Sequence, residues 1–330
     1  MTAHQKTLLA IALSLLSAAL FTTTYVLNRA VALQGGHWAW TASLRYLFML
    51  PLLLPLMPWQ GGVAPVLRAL RAAPLVWLGW SLCGFVLFYA LLSFAASSGP
   101  GWLVAGSFQL MVVTGMLCAP LLYDDARARI PRAGLMIGLV IVAGVLLMQF
   151  GHAQGAPDAN GWIALLCVVI AAFAYPVGNR GLLVYLEKNK IALNATQRVL
   201  GLTLASYPVW LAMALWAWQQ AGPPPAEQIE MTLIVALVAG VAATVLFFQA
   251  TGMVRDNATA LGAVEAMQAS EVIIAMVLGT LFFGERWPSG MALAGALLVV
   301  AGIALFAWMV ARKAAHDPRE VKAQRSERTT

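Results

Sequence analysis

The chain alternates between long apolar stretches and short polar connections up to about residue 310. Each stretch is close to the about 20 residues that a helix needs to cross a hydrocarbon core about 30 Å thick. None shows the residue-by-residue alternation over about ten positions that membrane β-barrel strands require. The pattern predicts an all-α membrane protein with ten transmembrane helices, named here the first to tenth spans. They are predicted at 7–27, 38–57, 74–96, 101–122, 132–150, 161–181, 196–217, 229–250, 259–283 and 290–310.

The composition excludes an ordinary soluble fold. Of the 330 residues, 61% are hydrophobic and 10% are charged, whereas a soluble domain carries about 25% charged residues. Cys83, Cys118 and Cys167 each stand alone inside an apolar stretch, so we interpret them as core residues and not as a disulfide framework. The histidines lack metal-binding spacing. We therefore predict no metal and no cofactor.

Positive charge is distributed as expected for a membrane protein. The net charge of +7 could indicate nucleic-acid binding, but lysine and arginine fall between the apolar stretches and in the C-terminal tail. If the N-terminus is inside, only Arg29 and Arg286 lie in connections on the opposite side, and such a bias is typical of cytoplasmic connections. We predict a multi-pass protein of a bacterial inner membrane with both termini in the cytoplasm and no nucleic-acid partner. The charged tail, 312–330, is predicted to be disordered.

The second half of the chain resembles the first. Asn28-Arg29 near the end of the first span matches Asn179-Arg180 near the end of the sixth, and Ala143-Gly144 in the fifth matches Ala301-Gly302 in the tenth. The offset is about 150 residues. Because each half contains five spans, an odd number, the second copy must enter the membrane from the opposite side. We predict two inverted five-helix repeats, 1–155 and 156–311, the architecture of many secondary transporters.

Several motifs together resemble one transporter family. The order of features is similar to that of the drug/metabolite transporter superfamily, in its ten-helix EamA-like or multidrug-efflux-like branch. The Gly284-Glu285-Arg286 motif of the second half is intact. The first half departs from the family pattern, because it has Ala128 at the aligned position. The resemblance implies export of small metabolites or drugs through a cavity between spans one to four and six to nine. It places spans five and ten at the periphery. The residues that carry it are Asn28-Arg29, Arg45, Tyr89-Ala90-Leu91, Gly284-Glu285-Arg286-Trp287 and the two Ala-Gly motifs.

The ninth span carries an acidic face. At about 100° per residue, Glu265, Gln268 and Glu271 fall within a sector about 120° wide. A carboxylate at bilayer depth costs about 2.5–3.5 kcal/mol on insertion scales, so this face should meet protein or a water-filled cavity. Only the second half of the chain has this acidic face, because the aligned positions of the fourth span are neutral. These are Phe108, Met111 and Thr114.

Two readings of the glutamates stay open on sequence alone. A low-dielectric cavity disfavours the charged form of a carboxyl, so Glu265 or Glu271 could load and release protons. The alternative is a structural hydrogen bond to a neighbouring helix. Arg45, inside the second span, is a bidentate partner for a carboxylate, either of the substrate or of one glutamate. If it pairs with a glutamate, it opposes the proton-carrier role.

Other polar residues lie at span depth. Of these, Tyr89, Asn28 and Gln109 are predicted to line the substrate site together with the residues above. The alternative for each is an interhelical hydrogen bond, worth about 0.6 kcal/mol on average. Pro176 and Pro208 interrupt the sixth and seventh spans, as hinges or as ordinary kinks. The full polar set is Tyr25, Asn28, Tyr89, Gln109, Tyr175, Asn179 and Gln249.

The sequence thus predicts a secondary transporter that is not an enzyme. Its substrate would be a small molecule: an amino acid, an amino-acid-derived zwitterion such as a metallophore, or an amphipathic drug. We predict proton-coupled efflux by alternating access, by a monomer or homodimer in the lipid bilayer, with protons as the second partner. The chain lacks a phosphate-binding loop, which argues against ATP as the energy source. The rivals are an uncoupled facilitator or exchanger and, in another class, an intramembrane enzyme.

Overall fold

A computed structural model describes residues 3–124, 128–130, 132–254, 264 and 267–315. Every regular element within these ranges is helical. Among the described residues, eight helices are long and apolar enough to cross a membrane, and two shorter apolar helices, Gly101–Leu117 and Met267–Phe283, have 17 residues each between those bounds. These ten segments coincide with the ten predicted spans. The prediction of an all-helical multi-pass membrane protein is confirmed.

The first five spans differ in regularity. The first and fifth are continuous, whereas the third contains a π-helical turn and the fourth is divided into short pieces. A separate short helix, Ala64–Ala72, joins the second span to the third. In chain order the spans are Ala3–Leu33; Trp38–Leu53 with the 3₁₀ turn Leu54–Gln60; Pro74–Ser81, π-helical Leu82–Leu87 and Phe88–Ala95; Gly101–Phe108, Leu110–Leu117 and Ala119–Leu122; and Arg132–Ala153.

The last five spans also include both continuous and irregular helices. The sixth, seventh and tenth are continuous, the eighth contains a π-helical turn, and the described part of the ninth begins with a 3₁₀ turn. In chain order they are Ala159–Lys188; Ala195–Ala221; Ala226–Val235, π-helical Ala236–Ala243 and Thr244–Met253; Met267–Ala269 and Ser270–Phe283; and Gly290–Ala315.

Local sequence explains several helix boundaries. The Asp158 side chain accepts a hydrogen bond from Gly161 N at 2.7 Å and so caps the start of the sixth span. Asn194 and Gln197 form a capping box at the start of the seventh. The ninth span ends where Gly284 adopts a left-handed conformation, φ 64°, which a residue with a Cβ adopts only with strain.

The fifth and tenth spans pack closely on each other. A Cβ built on Gly144 would lie 2.8 Å from Gly295 O, and one built on Gly295 would lie 2.5 Å from Gly144 O. Gly302 of the tenth span faces the Ile141 side chain, which would lie 2.7 Å from a Cβ built there. Close approach of this kind depends on small residues, which drive helix association in membranes. Both glycines of the Ala-Gly motifs therefore serve the packing of this pair.

Candidate functional site

The buried carboxyl of Glu271 is held between the ninth and first spans. Its Oε2 accepts a hydrogen bond from the Tyr25 hydroxyl at 3.2 Å, and the residue is only 4% exposed. Glu271 lies in the first turn of the helix that follows the 3₁₀ turn Met267–Ala269. The predicted intramembrane position of this glutamate is therefore next to an irregularity of the ninth span.

Gln109 approaches the same carboxyl from the fourth span. It is fully buried and occupies the turn that separates Gly101–Phe108 from Leu110–Leu117. Its side chain lies beside Glu271, but neither its Nε2 nor its Oε1 reaches hydrogen-bond geometry with any partner in the described part of the chain. A buried polar group without a partner costs about 1–3 kcal/mol. Gln109 thus carries a donor and an acceptor that a ligand can use.

Arg45 lies against tyrosine rings. Its guanidinium carbon is 4.1 Å from the centroid of the Tyr89 ring, and one terminal nitrogen donates to Thr24 Oγ1 at 3.4 Å. Its Nε has no hydrogen-bond partner among the described residues. Tyr89 in turn exchanges hydrogen bonds with Asn28 at 3.1 and 3.3 Å. Arg45, Tyr89 and Asn28, all predicted from sequence, therefore form one connected group.

Arg45 and Glu271 form no direct ion pair. Within the described ranges the recorded side-chain ion pair joins Lys188 and Asp124 at the surface. Tyr25 lies within electrostatic reach of both Arg45 and Glu271. Arg45 and Glu271 therefore do not neutralise each other by direct contact, so each side chain can still meet a ligand group.

Aromatic rings surround these polar groups. The Tyr46 ring stacks on Trp210, with centroids 4.6 Å apart and planes at 6°. Phe88 packs against Phe108 and Tyr175, with centroids 5.2 and 4.8 Å apart. A mainly apolar lining with a few placed polar groups is the usual composition of a small-molecule site.

Gln268 has a different neighbour from Glu271. Its Nε2 lies 3.2 Å from Ser14 Oγ, and Ser14 Oγ donates to Val264 O at 2.6 Å. Gln268 thus makes a hydrogen bond from the ninth span to the first. Tyr25, the partner of Glu271, lies on the first span as well. Glu265 lies outside the described residues.

Other members of the polar set are distributed unevenly. Tyr175 is part of the aromatic lining, but Asn179 Nδ2 donates to Tyr175 O of its own helix at 2.8 Å, and Gln249 is exposed. Thr24 and Tyr46 also belong to the site, and the sequence pattern does not predict them. Thr24 is adjacent to Tyr25 and Tyr46 is adjacent to Arg45. Adjacency in sequence does not show which of two side chains faces the site.

The C-terminal end of the ninth span reaches across to the fourth. Glu285 Oε1 accepts from the Gly101 amide at 2.8 Å, while Oε2 is buried without a partner in the described part of the chain. Arg29 donates to the carbonyls of Ala96 and Ser97 at 3.2 and 2.8 Å. We name this group, Arg29, Ala96, Ser97, Gly101 and Glu285, the Glu285 clamp. Partial burial raises the pKa of the Glu285 carboxyl, and the Gly101 amide and Arg29 oppose that rise.

Glu285 caps two helices. Its backbone amide caps its own helix by donating to Gly279 O at 3.0 Å. The side chain instead caps the fourth span at its first residue, Gly101. That glycine packs on the Tyr25 backbone, because a Cβ there would lie 3.1 Å from Tyr25 O. The clamp and the carboxyl site thus share Tyr25.

Two cavities are described, and neither is lined by Glu271, Gln109 or Arg45. One of about 400 Å³ lies between the fourth, fifth and sixth spans and includes Ser107 and Gln149, whose side chains are 3.0 Å apart. Another of about 780 Å³ lies against the seventh span. Within the described residues no group of three or more histidine, cysteine or acidic side chains could hold a metal ion.

Comparison with known proteins identifies relatives over nearly the whole chain. Residues 8–312 match the family described as "EmrE: Putative multidrug resistance efflux transporter". The chain is 42% identical over 322 residues to the "Uncharacterized protein YjlA" of Bacillus subtilis (strain 168), covering 95% of this chain and 97% of that protein.

Two further similarities agree with this result. The "Uncharacterized 42.1 kDa protein in intracellular alkaline protease 3'region" of Shouchella clausii is 39% identical over 282 residues, 84% of this chain and 73% of that one. A solved crystal structure is similar with a TM-score of 0.56 at 17% identity, covering 94% of this chain and 99% of the other. At that identity the similarity establishes a shared fold alone.

Proposed function

Because this chain belongs to the EmrE family of multidrug resistance efflux transporters, we propose that it exports a small zwitterionic or amphipathic molecule by proton-coupled alternating access. The membership confirms the family resemblance found in motifs such as Gly284-Glu285-Arg286. It also means that the chain is a membrane transporter and not an enzyme. The substrate and the coupling ion are the parts of the proposal that go beyond the family.

One observation carries the proposal: the fourth and ninth spans are both irregular where their side chains meet. Gln109 occupies the break in the fourth span, and Glu271 follows the 3₁₀ turn of the ninth. Discontinuous helices near the bilayer midplane are the usual site of substrate and ion binding in secondary transporters. An intact scaffold helix would not need either irregularity.

The proposed inverted repeat is supported by matching irregularities. The π-helical turns Leu82–Leu87 and Ala236–Ala243 occur in the third and eighth spans, about 150 residues apart. Breaks in the fourth and ninth spans have nearly the same offset. π-helical turns are rare and frequently accompany functional sites. Paired occurrence at the repeat offset favours two copies of one unit that move relative to each other.

A ligand with both charges suits the polar groups of the site. Arg45 would bind a carboxylate, because a guanidinium presents several donors in a planar fork. Glu271 would bind an amine, and Gln109 would supply one donor and one acceptor between them. An amino acid or an amino-acid-derived metallophore carries both groups. A hydrogen bond to a charged group contributes about 1.5–3 kcal/mol, so losing one should weaken binding roughly tenfold to a hundredfold.

Proton coupling is proposed for Glu271. It accepts a hydrogen bond from the Tyr25 hydroxyl and lies beside the Gln109 amide, and neither described neighbour is a cation that would hold it permanently ionised. A carboxyl in such surroundings can exchange its proton for the amine of a substrate. Glu265 is a second candidate on the same span.

Transport in proteoliposomes tests the coupling. A thermal-shift screen of the purified protein against amino acids, metallophores and cationic drugs would first identify a ligand. We expect uptake of that ligand to respond to an imposed pH gradient in the wild type and to lose the response in Glu271→Gln. Glu230→Gln is the matched control, since Glu230 is exposed at the start of the eighth span.

Two results would change the proposal. If wild-type uptake does not change with the imposed pH gradient, the result favours the uncoupled facilitator or exchanger. If uptake by Glu271→Gln still responds fully to the pH gradient, Glu271 does not couple transport to protons, and Glu265 becomes the candidate.

A further inference from the structure

A groove of about 780 Å³ runs along the outside of the helix bundle, away from Glu271. It lies between the seventh span and the corner where the short helix Ala64–Ala72 meets the third span. Its size is within the range of about 300–1,000 Å³ that ligand pockets occupy. Leu70 and Leu78 form one wall, and Ala205, Val209 and Ala212 form the other.

Local sequence keeps this groove open. Ala73 has φ −149° and ψ 64°, outside the helical region, so the chain turns between the short helix and Pro74, which begins the third span. Pro208 lies inside the seventh span, lacks an amide proton and is itself exposed. Two alanines, Ala205 and Ala212, supply no long side chain to fill the space.

The groove is separate from the transport site. Trp210, next to the wall residue Val209, turns inward and stacks on Tyr46. Trp77, in the first turn of the third span, is fully buried and packs over Gly201. These two tryptophans close the inner side of the helix pair. The groove therefore faces the surroundings of the bundle, which in a membrane are lipid chains.

A single cation stands at one end of the otherwise apolar groove. Arg71 is exposed and lies in the last turn of the short helix. On that helix Val66 and Ala69 are buried while Arg68 and Arg71 are exposed. A short helix with one apolar and one basic face lies in the membrane interface. Arg71 is thus at headgroup depth while the leucines of the groove are at acyl-chain depth.

We propose that this groove binds one anionic glycerophospholipid, with an acyl chain between the third and seventh spans and the phosphate on Arg71. A guanidinium pairs with phosphate through two parallel hydrogen bonds. Basic sites between helices at the cytoplasmic side of membrane proteins bind anionic headgroups, and this connection is on the side predicted to be cytoplasmic. The apolar walls match a hydrocarbon chain, and the charge at the end matches the lipid phosphate.

Native mass spectrometry of the detergent-solubilised protein tests the proposal with phosphatidylglycerol and phosphatidylcholine as probes. We expect the wild type to retain one phosphatidylglycerol about fivefold more strongly than phosphatidylcholine, as one arginine at a membrane surface implies. Arg71→Ala should lose this preference. Arg68→Ala, which removes the same charge from the same helix outside the groove, should keep it.

A second variant tests the acyl-chain part. Ala205→Phe fills the groove and should reduce retention of both lipids, while the preference for the anionic headgroup among the remaining bound lipid persists. Inorganic phosphate at the same concentration should not displace the lipid, because it has no chain to bury.

Four results would overturn the proposal. They are equal retention of the two lipids by the wild type, equal losses in Arg71→Ala and Arg68→Ala, unchanged lipid retention in Ala205→Phe, and full displacement by inorganic phosphate. If Arg71→Ala does not purify as a folded protein, the wild-type comparison and Ala205→Phe still decide. None of these readouts measures transport, so they stand apart from the test of the proposed function.

Discussion

Two pairs of helices in this molecule are built on opposite principles. The fifth and tenth spans are continuous and meet through glycines at nearly backbone-to-backbone distance. The fourth and ninth spans contain irregular turns, and they bring Glu271 close to Gln109, two of whose buried atoms have no partner in the described part of the chain. Tight packing costs little where nothing has to move or bind. Unsatisfied polar groups are costly, and they persist where a ligand can satisfy them.

The largest effect is expected in the closely packed pair. Gly295→Leu would force a side chain into the space occupied by Gly144 O and Met148 N, each 2.5 Å from the position of a new Cβ. Overpacking typically costs about 1–3 kcal/mol and sometimes more, and backbone atoms can yield less than side chains. We expect loss of most folded protein in fluorescence-detected size-exclusion chromatography.

The control for this substitution is Gly79→Leu in the third span. A Cβ on Gly79 meets no atom within 4 Å, so the variant should elute as the wild type does. If Gly295→Leu is equally well tolerated, the fifth and tenth spans are not a rigid pair, and the comparison between the two regions fails.

An intermediate effect of opposite sign is expected at the interrupted pair. Gln109→Leu removes two buried polar atoms that have no described partner, each of a kind that costs about 1–3 kcal/mol when unsatisfied. The variant should be more thermostable than the wild type and should transport at least about tenfold less ligand, as the loss of about 1.4 kcal/mol of binding implies. Thermal unfolding and proteoliposome uptake measure the two properties separately.

The fifth span offers the matched glutamine. Gln149 is also buried, but its Nε2 donates to Ser107 Oγ at 3.0 Å. Gln149→Leu should therefore lower thermal stability and leave the transport rate per folded molecule within about twofold, since its net bond is worth about 1 kcal/mol to the fold. If Gln109→Leu is destabilised and active, Gln109 is a structural residue like Gln149.

The smallest effect is expected at the Glu285 clamp and depends on pH. Burial raises the pKa of Glu285 in the folded protein above its ordinary value of 4.5. The protonated carboxyl therefore stabilises the folded protein below pH 4.5. This contribution to stability is lost as the pH rises through the pKa of Glu285 in the folded state. The melting temperature of the wild type should fall more steeply above pH 4.5 than that of Glu285→Gln.

The glutamine keeps an oxygen that can accept from the Gly101 amide, so the fold should survive the substitution. Melting curves of both proteins from pH 4.5 upward measure the difference. Parallel pH dependence in the two proteins would show that Glu285 does not titrate with folding.

Sequence alone determined the number of spans and the presence of an intramembrane acidic residue. Bilayer thickness fixes the length of an apolar helix, so ten apolar stretches predict ten helical segments whatever their neighbours are. The cost of a carboxylate in lipid likewise predicts that Glu271 is buried in protein, and it is 4% exposed. Both inferences depend on the lipid bilayer, whose thickness and low polarity constrain every membrane protein in the same way.

Only the tertiary structure decided which groups these residues meet. Residue spacing gives angles only along a regular helix, and the 3₁₀ turn Met267–Ala269 changes the phase between Gln268 and Glu271. Gln268 meets Ser14 and Glu271 meets Tyr25, at different positions along the first span. Partner choice joins residues more than 240 positions apart in the chain. It is set by how spans pack, which a linear pattern of apolar and polar residues does not encode.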